Sequence, residues 1–110
     1  MKRATFRHLE EIIRNYPNLD QTIQMLVNTP QITPGVAAMI YELTREQAIV
    51  KDTLATVDET TRQIVHEMYF KKYQTHTPQG IADELCIDRS TLYRRRNYFL
   101  EQVRYKLGWV

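Results

Sequence analysis

Arg89, Ser90, Tyr93, Arg94 and Asn97 follow one another at steps of one, three, one and three. On a helix those steps gather all five on one side. The chemistry they could perform together is recognition by hydrogen bonding. An arginine fork pairs with the O6 and N7 of guanine, an asparagine amide pairs with the N6 and N7 of adenine, and a serine hydroxyl serves a base or a phosphate. Arg95 and Arg96 stand within the run but outside the reading set. They are placed to reach flanking phosphates or to lay their stems along a helical bundle. Lys71, Lys72, Thr77 and Gln79 precede the set and, with Thr91, complete the candidate contacts to a sugar–phosphate backbone. The expected ligand is double-stranded DNA.

Such a set works only if a helix holds it out rigidly, and the residues before it have the makings of that support. A helix-turn-helix packs two helices steeply across a short turn. Thr77 can cap the first helix, and Pro78 stands where a missing N–H costs nothing. Ala82 is small enough to let the second helix approach closely. Ile81, Leu85, Ile87 and Leu92 have the spacing to seal the angle. Asp88 can cap the second helix by accepting from the N–H of Ser90 or Thr91. Cys86 stands where many such turns place glycine, because that residue often has positive φ. It is expected to be a small buried turn residue. After Leu92 the inward stripe continues through Phe99, Val103 and Leu107. Gly108 is expected to end the helix and Trp109 to fold back on the bundle.

The charge distribution points the same way. The chain has 110 residues and a net charge of +2. Residues 1–70 hold seven Lys/Arg against nine Asp/Glu, a balance of −2, whereas residues 71–110 hold eight against four, a balance of +4. Between Arg89 and Lys106 six basic residues face one acid, Glu101. A local basic surface on a nearly neutral chain suits a polyanion. Enzymatic chemistry finds no support. His8, His66 and His76 lack metal-ligand spacing, and no phosphate-cradling glycine loop occurs. No metal or cofactor is expected. No run approaches the ~18 apolar residues of a membrane span. The basic start of the chain is not followed by the apolar run of a signal peptide. A single cysteine fits a cytoplasmic setting.

The remaining sequence reads as all-α, a small helical bundle, with no sustained period-two alternation. Phe6, Leu9, Ile13 and Tyr16 mark a first helix over residues 3–15, ended by Tyr16-Pro17-Asn18. A short second helix is expected over residues 19–27. The segment from Asn28 to Gly35, with two prolines, reads as a break. A long helix follows from Pro34 to about Ala55. Val36, Ile40, Leu43, Val50, Leu54 and Val57 recur at steps of four and three, with Gln47 as the one polar member. That stripe suits either an oligomerisation seam or the core face of a bundle. Asp58 caps a further helix with Ile64, Val65, Met68 and Tyr69 on its apolar side, ending near Tyr73. Three regions result: an N-terminal helical arm over 1–33, a central helix over 34–57, and a DNA-binding domain over 58–110.

The run from Thr61 to Phe70 (TRQIVHEMYF), followed by Ile81 to Arg96 (IADELCIDRSTLYRRR), resembles the fourth region of sigma factors, in which a helix packs before the helix-turn-helix. Among small proteins of that layout the chain is most similar to phage late-gene transcriptional regulators of the RinA/ArpU type. Phe6-Arg-His-Leu-Glu-Glu-Ile-Ile-Arg-Asn-Tyr-Pro-Asn, Met68-Tyr-Phe-Lys71 and Lys106-Leu-Gly108 extend the likeness. The resemblance implies a cytoplasmic, sequence-specific activator of phage or prophage packaging and morphogenesis genes. It makes host RNA polymerase a candidate partner, and paired half-sites would call for a homo-oligomer. The alternative is a DNA-packaging or recombination accessory protein that uses the same motif.

Overall fold

A computed structural model describes residues 1–71 and 76–109. Among them there are only helices and their connections: α1 (Arg3–Val27), α2 (Pro34–Thr56), α3 (Glu59–Val65) continued by a π-helical segment (His66–Phe70), α4 (Pro78–Glu84) and α5 (Arg89–Leu107). Helix starts follow the local chemistry. Thr33 Oγ1 accepts from Val36 N–H at the head of α2, and Asp58 accepts from Thr61 N–H at the head of α3. Both satisfy an orphan donor of the first turn.

The first departure from expectation is at Pro17. The break anticipated at Tyr16-Pro17-Asn18 does not occur, and α1 runs through it without a second helix. An internal proline costs about 3 kcal/mol. Burial on both sides of it outweighs that cost. Ile12 and Ile13 before the proline, and Leu19 and Ile23 after it, are all buried, each worth about 1.5–3 kcal/mol. Tyr16 stacks on Phe70, with ring centroids 5.5 Å apart. Pro17 itself lies on the exposed side.

Helices α1 and α2 form an antiparallel pair joined through residues 28–33. The heptad-like stripe of α2 is used within the chain. Val50 is fully buried against α1, Leu54 and Val57 pack on the same core, and Gln47 Nε2 donates to Asp20 Oδ1 at 3.5 Å. Val36, Ile40 and Leu43, in the first half of the stripe, are half-buried. The far end of the pair carries no charged side chain between Asp20 and Glu42. Met25, Ile32, Met39 and Tyr41 are exposed there.

Two adjoining clusters make the core. The larger one joins Leu9, Ile12 and Ile13 of α1 to Val50 of α2, Val65 and Tyr69, and Phe99, Leu100, Val103 and Leu107 of α5. The first 33 residues thus share a core with the last helix. The smaller cluster is Ile64, Ile81, Ala82 and Leu92, flanked by Leu85, Ile87 and Tyr93. Met68 touches both clusters. The π-helical segment lies between them. Its wider turn leads to Tyr69 buried in the larger cluster and Phe70 against Tyr16. Helical structure stops at Phe70, ahead of the expected end near Tyr73, which lies outside the described residues. Gly108 adopts a left-handed conformation and ends α5, as expected. Trp109 turns back onto His8, with ring centroids 4.7 Å apart, and its carbonyl accepts from Arg104 at 2.9 Å.

Candidate nucleic-acid interface

Helix α4 is short, and its local bonds set its position. Thr77 Oγ1 accepts from Gly80 N–H at 3.1 Å, and Pro78 occupies the first turn. Ile81 and Ala82 are buried, with Ala82 at the close approach to α5. The turn that follows is closed by Cys86 N–H to Asp83 C=O at 3.1 Å and Ile87 N–H to Ala82 C=O at 2.9 Å. Cys86 has φ +58°, the left-handed conformation expected at that place. For a residue with a Cβ this costs roughly 1 kcal/mol. Contrary to expectation its side chain is exposed. The left-handed backbone carries the side chain outward while Leu85 and Ile87 fill the angle. Asp88 has the extended backbone of a cap but makes no side-chain capping bond. The expected bond to Ser90 or Thr91 is absent, and the head of α5 keeps its N–H groups outward.

Helix α5 then carries the candidate readers. Arg89, Ser90, Arg94 and Asn97 are exposed, and Tyr93 is half-buried. Leu92, Phe99 and Leu100 anchor the opposite side at full burial. The first half of α5 is thus a rigid rod with donors and acceptors on its outer side.

The candidate backbone contacts divide. Gln79 is exposed and donates to Asp83 Oδ1 at 2.8 Å. Thr77 is exposed, its hydroxyl proton still free to donate beyond the cap. Thr91 is half-buried. Lys71 is exposed but ion-paired with Glu67 at 2.6 Å, and that bond raises its pKa. Lys72 lies outside the described residues. Arg95 donates to Asp58 Oδ2 at 2.7 Å and ties α5 to the head of α3. The hydroxyl of Thr61, donating to Asp58 at 2.6 Å, is the main cause holding that carboxyl below its ordinary value, with Arg95 adding to it.

Arg96 lies against the interior, and its side chain is only 14% exposed. The guanidinium lies between two rings, 4.9 Å from the Phe6 centroid and 5.1 Å from that of Tyr93. Glu10 Oε2 of α1 is 4.0 Å from it and also accepts from the Tyr69 hydroxyl at 2.7 Å. Burial, then the bond to Glu10, pushes the Tyr69 hydroxyl well above its ordinary pKa. Arg96 Nε donates to Asn97 Oδ1 at 2.8 Å. The alternative already open for this arginine, a stem laid along the bundle, describes it.

Sequence reasoning missed Tyr98. It is 57% exposed and lines a shallow hollow with Asp58, Thr61, Arg94 and Arg95. Its place one helical turn beyond Arg94 was the available signal. Among the described residues no group of three or more His, Cys, Asp or Glu is placed to hold a metal ion, and no helix is long and apolar enough to cross a membrane. No protein-family model matches the chain, nor does any curated protein or solved structure.

Proposed function

We propose that the chain is a sequence-specific DNA-binding transcriptional regulator and that α4 and α5 act as a helix-turn-helix of the sigma region-four kind. In this reading α5 enters the major groove by its first half. Arg89, Ser90, Tyr93, Arg94 and Asn97 meet base edges, and Thr77, Gln79, Thr91 and Arg95 meet the backbone. The observation that carries the reading is the exposure of Arg89, Ser90, Arg94 and Asn97 on a helix whose opposite side is fully buried. By resemblance to the RinA/ArpU type, the regulated genes are phage or prophage packaging and morphogenesis genes, activated in the bacterial cytoplasm, with host RNA polymerase as a partner.

Paired half-sites would require two copies. Val50 of the α2 stripe is buried in the core, and we place the contact at the charge-free end of the α1–α2 pair, around Met39 and Tyr41. There, two like-charged molecules would meet without repulsion.

In vitro selection from a random duplex pool tests the function, followed by footprinting on the DNA flanking the protein's own gene. A recovered motif with affinity that falls at least roughly tenfold between about 50 and 200 mM salt supports it. Failure to enrich any motif would remove the DNA-reading role.

A further inference from the structure

The polar contacts behind α5 reach a residue that no base could touch. We propose that Glu10 of α1, acting through Arg96, is a positioning residue that sets the orientation in which Asn97 presents its amide to a base. The inference rests on the DNA-reading role of α5 and adds a function for the N-terminal helix.

Arg96 is held on several sides. Phe6 and Tyr93 flank its guanidinium at 4.9 and 5.1 Å, and Glu10 lies at 4.0 Å. Glu10 is itself anchored, only 15% exposed and accepting from the Tyr69 hydroxyl at 2.7 Å. From that seat Arg96 Nε–H donates to the neighbouring Asn97 Oδ1 at 2.8 Å. A guanidinium has donors only, so the amide atom facing it must be the oxygen. The Asn97 NH2 is therefore turned away from Arg96, and the oxygen keeps one lone pair. That arrangement suits a purine, whose N7 accepts from the NH2. An adenine N6 amino group can use the remaining lone pair. An exposed asparagine would otherwise rotate freely and lose entropy when it docked. The same guanidinium covers the ring of Tyr93, so Glu10 lies behind two members of the reading set through one arginine.

The variants are Glu10→Gln, which keeps an acceptor for Tyr69 but removes the charge facing Arg96 and, at 3.8 Å, the exposed Arg14, and Arg96→Lys, which keeps a charge but has no Nε–H for Asn97. Full-length protein would be titrated with the selected duplex and with duplexes altered at each base pair, while thermal melting monitors folding. Each variant is expected to lose about tenfold discrimination at one base pair, within the range of a single bidentate contact. Binding to unrelated duplex should stay within about twofold, because no phosphate contact is removed.

The pair Glu10→Gln and Asn97→Ala should be non-additive at that base pair, since both act on one contact. The side-chain amide resonances of Asn97 should shift in Glu10→Gln without DNA. A scaffolding role predicts a different result: equal losses at every position, or a Glu10→Gln loss that persists undiminished in the Asn97→Ala background. Either would overturn the proposal, as would a weaker salt dependence in Arg96→Lys, which would make Arg96 a phosphate contact. If Glu10→Gln does not fold, Glu10→Asp, which draws the carboxylate back from Arg96, is measured in its place with the same expected loss. A wild-type protein that selects no motif would sink the DNA-reading role and this inference with it. The amide resonances would still report the Glu10–Arg96–Asn97 coupling separately.

Discussion

Two residues, one in the α4–α5 turn and one on α5, show how differently single side chains contribute. Arg94 is exposed and has no hydrogen bond or ion pair among the described residues. Its replacement by alanine is expected to leave the melting curve unchanged. Affinity for the selected duplex should fall by about 1–3 kcal/mol, with discrimination relaxed at one base pair. Unchanged binding in a gel-shift titration would remove Arg94 from the reading set. Cys86 is the opposite case. Its φ of +58° makes the backbone, not the thiol, the matter of interest. Glycine is at ease there, whereas a β-branched residue is strained. Cys86→Gly should hold or raise the melting midpoint by a few degrees, and Cys86→Val should lower it by roughly 5 °C or more. A midpoint that rises with valine would contradict the left-handed turn. Cys86's conformation was legible in the sequence, because the turn demanded it. Its exposure was not, since which way the side chain leaves the turn depends on what fills the angle beside it.

At the scale of elements, α1 offers the sharpest test. The helix continues past Pro17 at the loss of one ladder bond, to the carbonyl of Ile13. Pro17→Ala restores that donor at an exposed position. It should stabilise the protein by about 1–3 kcal/mol, after allowing for the greater freedom of the unfolded chain. Calorimetry reads this as a raised midpoint. No gain would mean that the helix is interrupted there after all. The head of α3 carries a pH dependence. Asp58 is held below its ordinary carboxyl value of 3.8, chiefly by the Thr61 hydroxyl. A depressed folded pKa contributes stability above the unfolded value and loses it as pH falls through the folded one. The advantage of the native protein over Asp58→Asn should therefore be present near neutrality and shrink once pH drops below the usual carboxylate range. An advantage that grows in acid would reverse the assignment. The caps at Asp58 and Thr77 were readable in advance because their bonds span only three residues, whereas the one expected at Asp88 did not form. The π-helical segment was not, because it depends on what Tyr69 and Phe70 meet on α1.

For the molecule as a whole, the bundle is elongated, with extents of 50 × 31 × 25 Å. Under the proposed two-copy reading, association should respond to the outer side of α2, where Met39 and Tyr41 are exposed. Tyr41→Glu, which alters an exposed residue, is expected to shift sedimentation equilibrium toward monomer without lowering the melting midpoint. An unchanged distribution would move the contact elsewhere.

What the sequence determined by itself was local. Helix starts at Pro34, Asp58 and Thr77, the ending at Gly108, the left-handed turn at Cys86 and the inward stripe of α5 all follow from interactions over a few residues or from helical period. The all-helical class and the outward placement of Arg89, Ser90, Arg94 and Asn97 follow with them. Tertiary structure alone decided three things. It carried α1 through Pro17, because burial on both sides exceeds the cost of one proline. It packed Val50, Leu54 and Val57 of the α2 stripe into the shared core, since a stripe has no means of naming its partner. And it turned Arg96 inward, because Phe6 and Glu10, far off in sequence, supply the aromatic face and the charge that hold a guanidinium away from solvent.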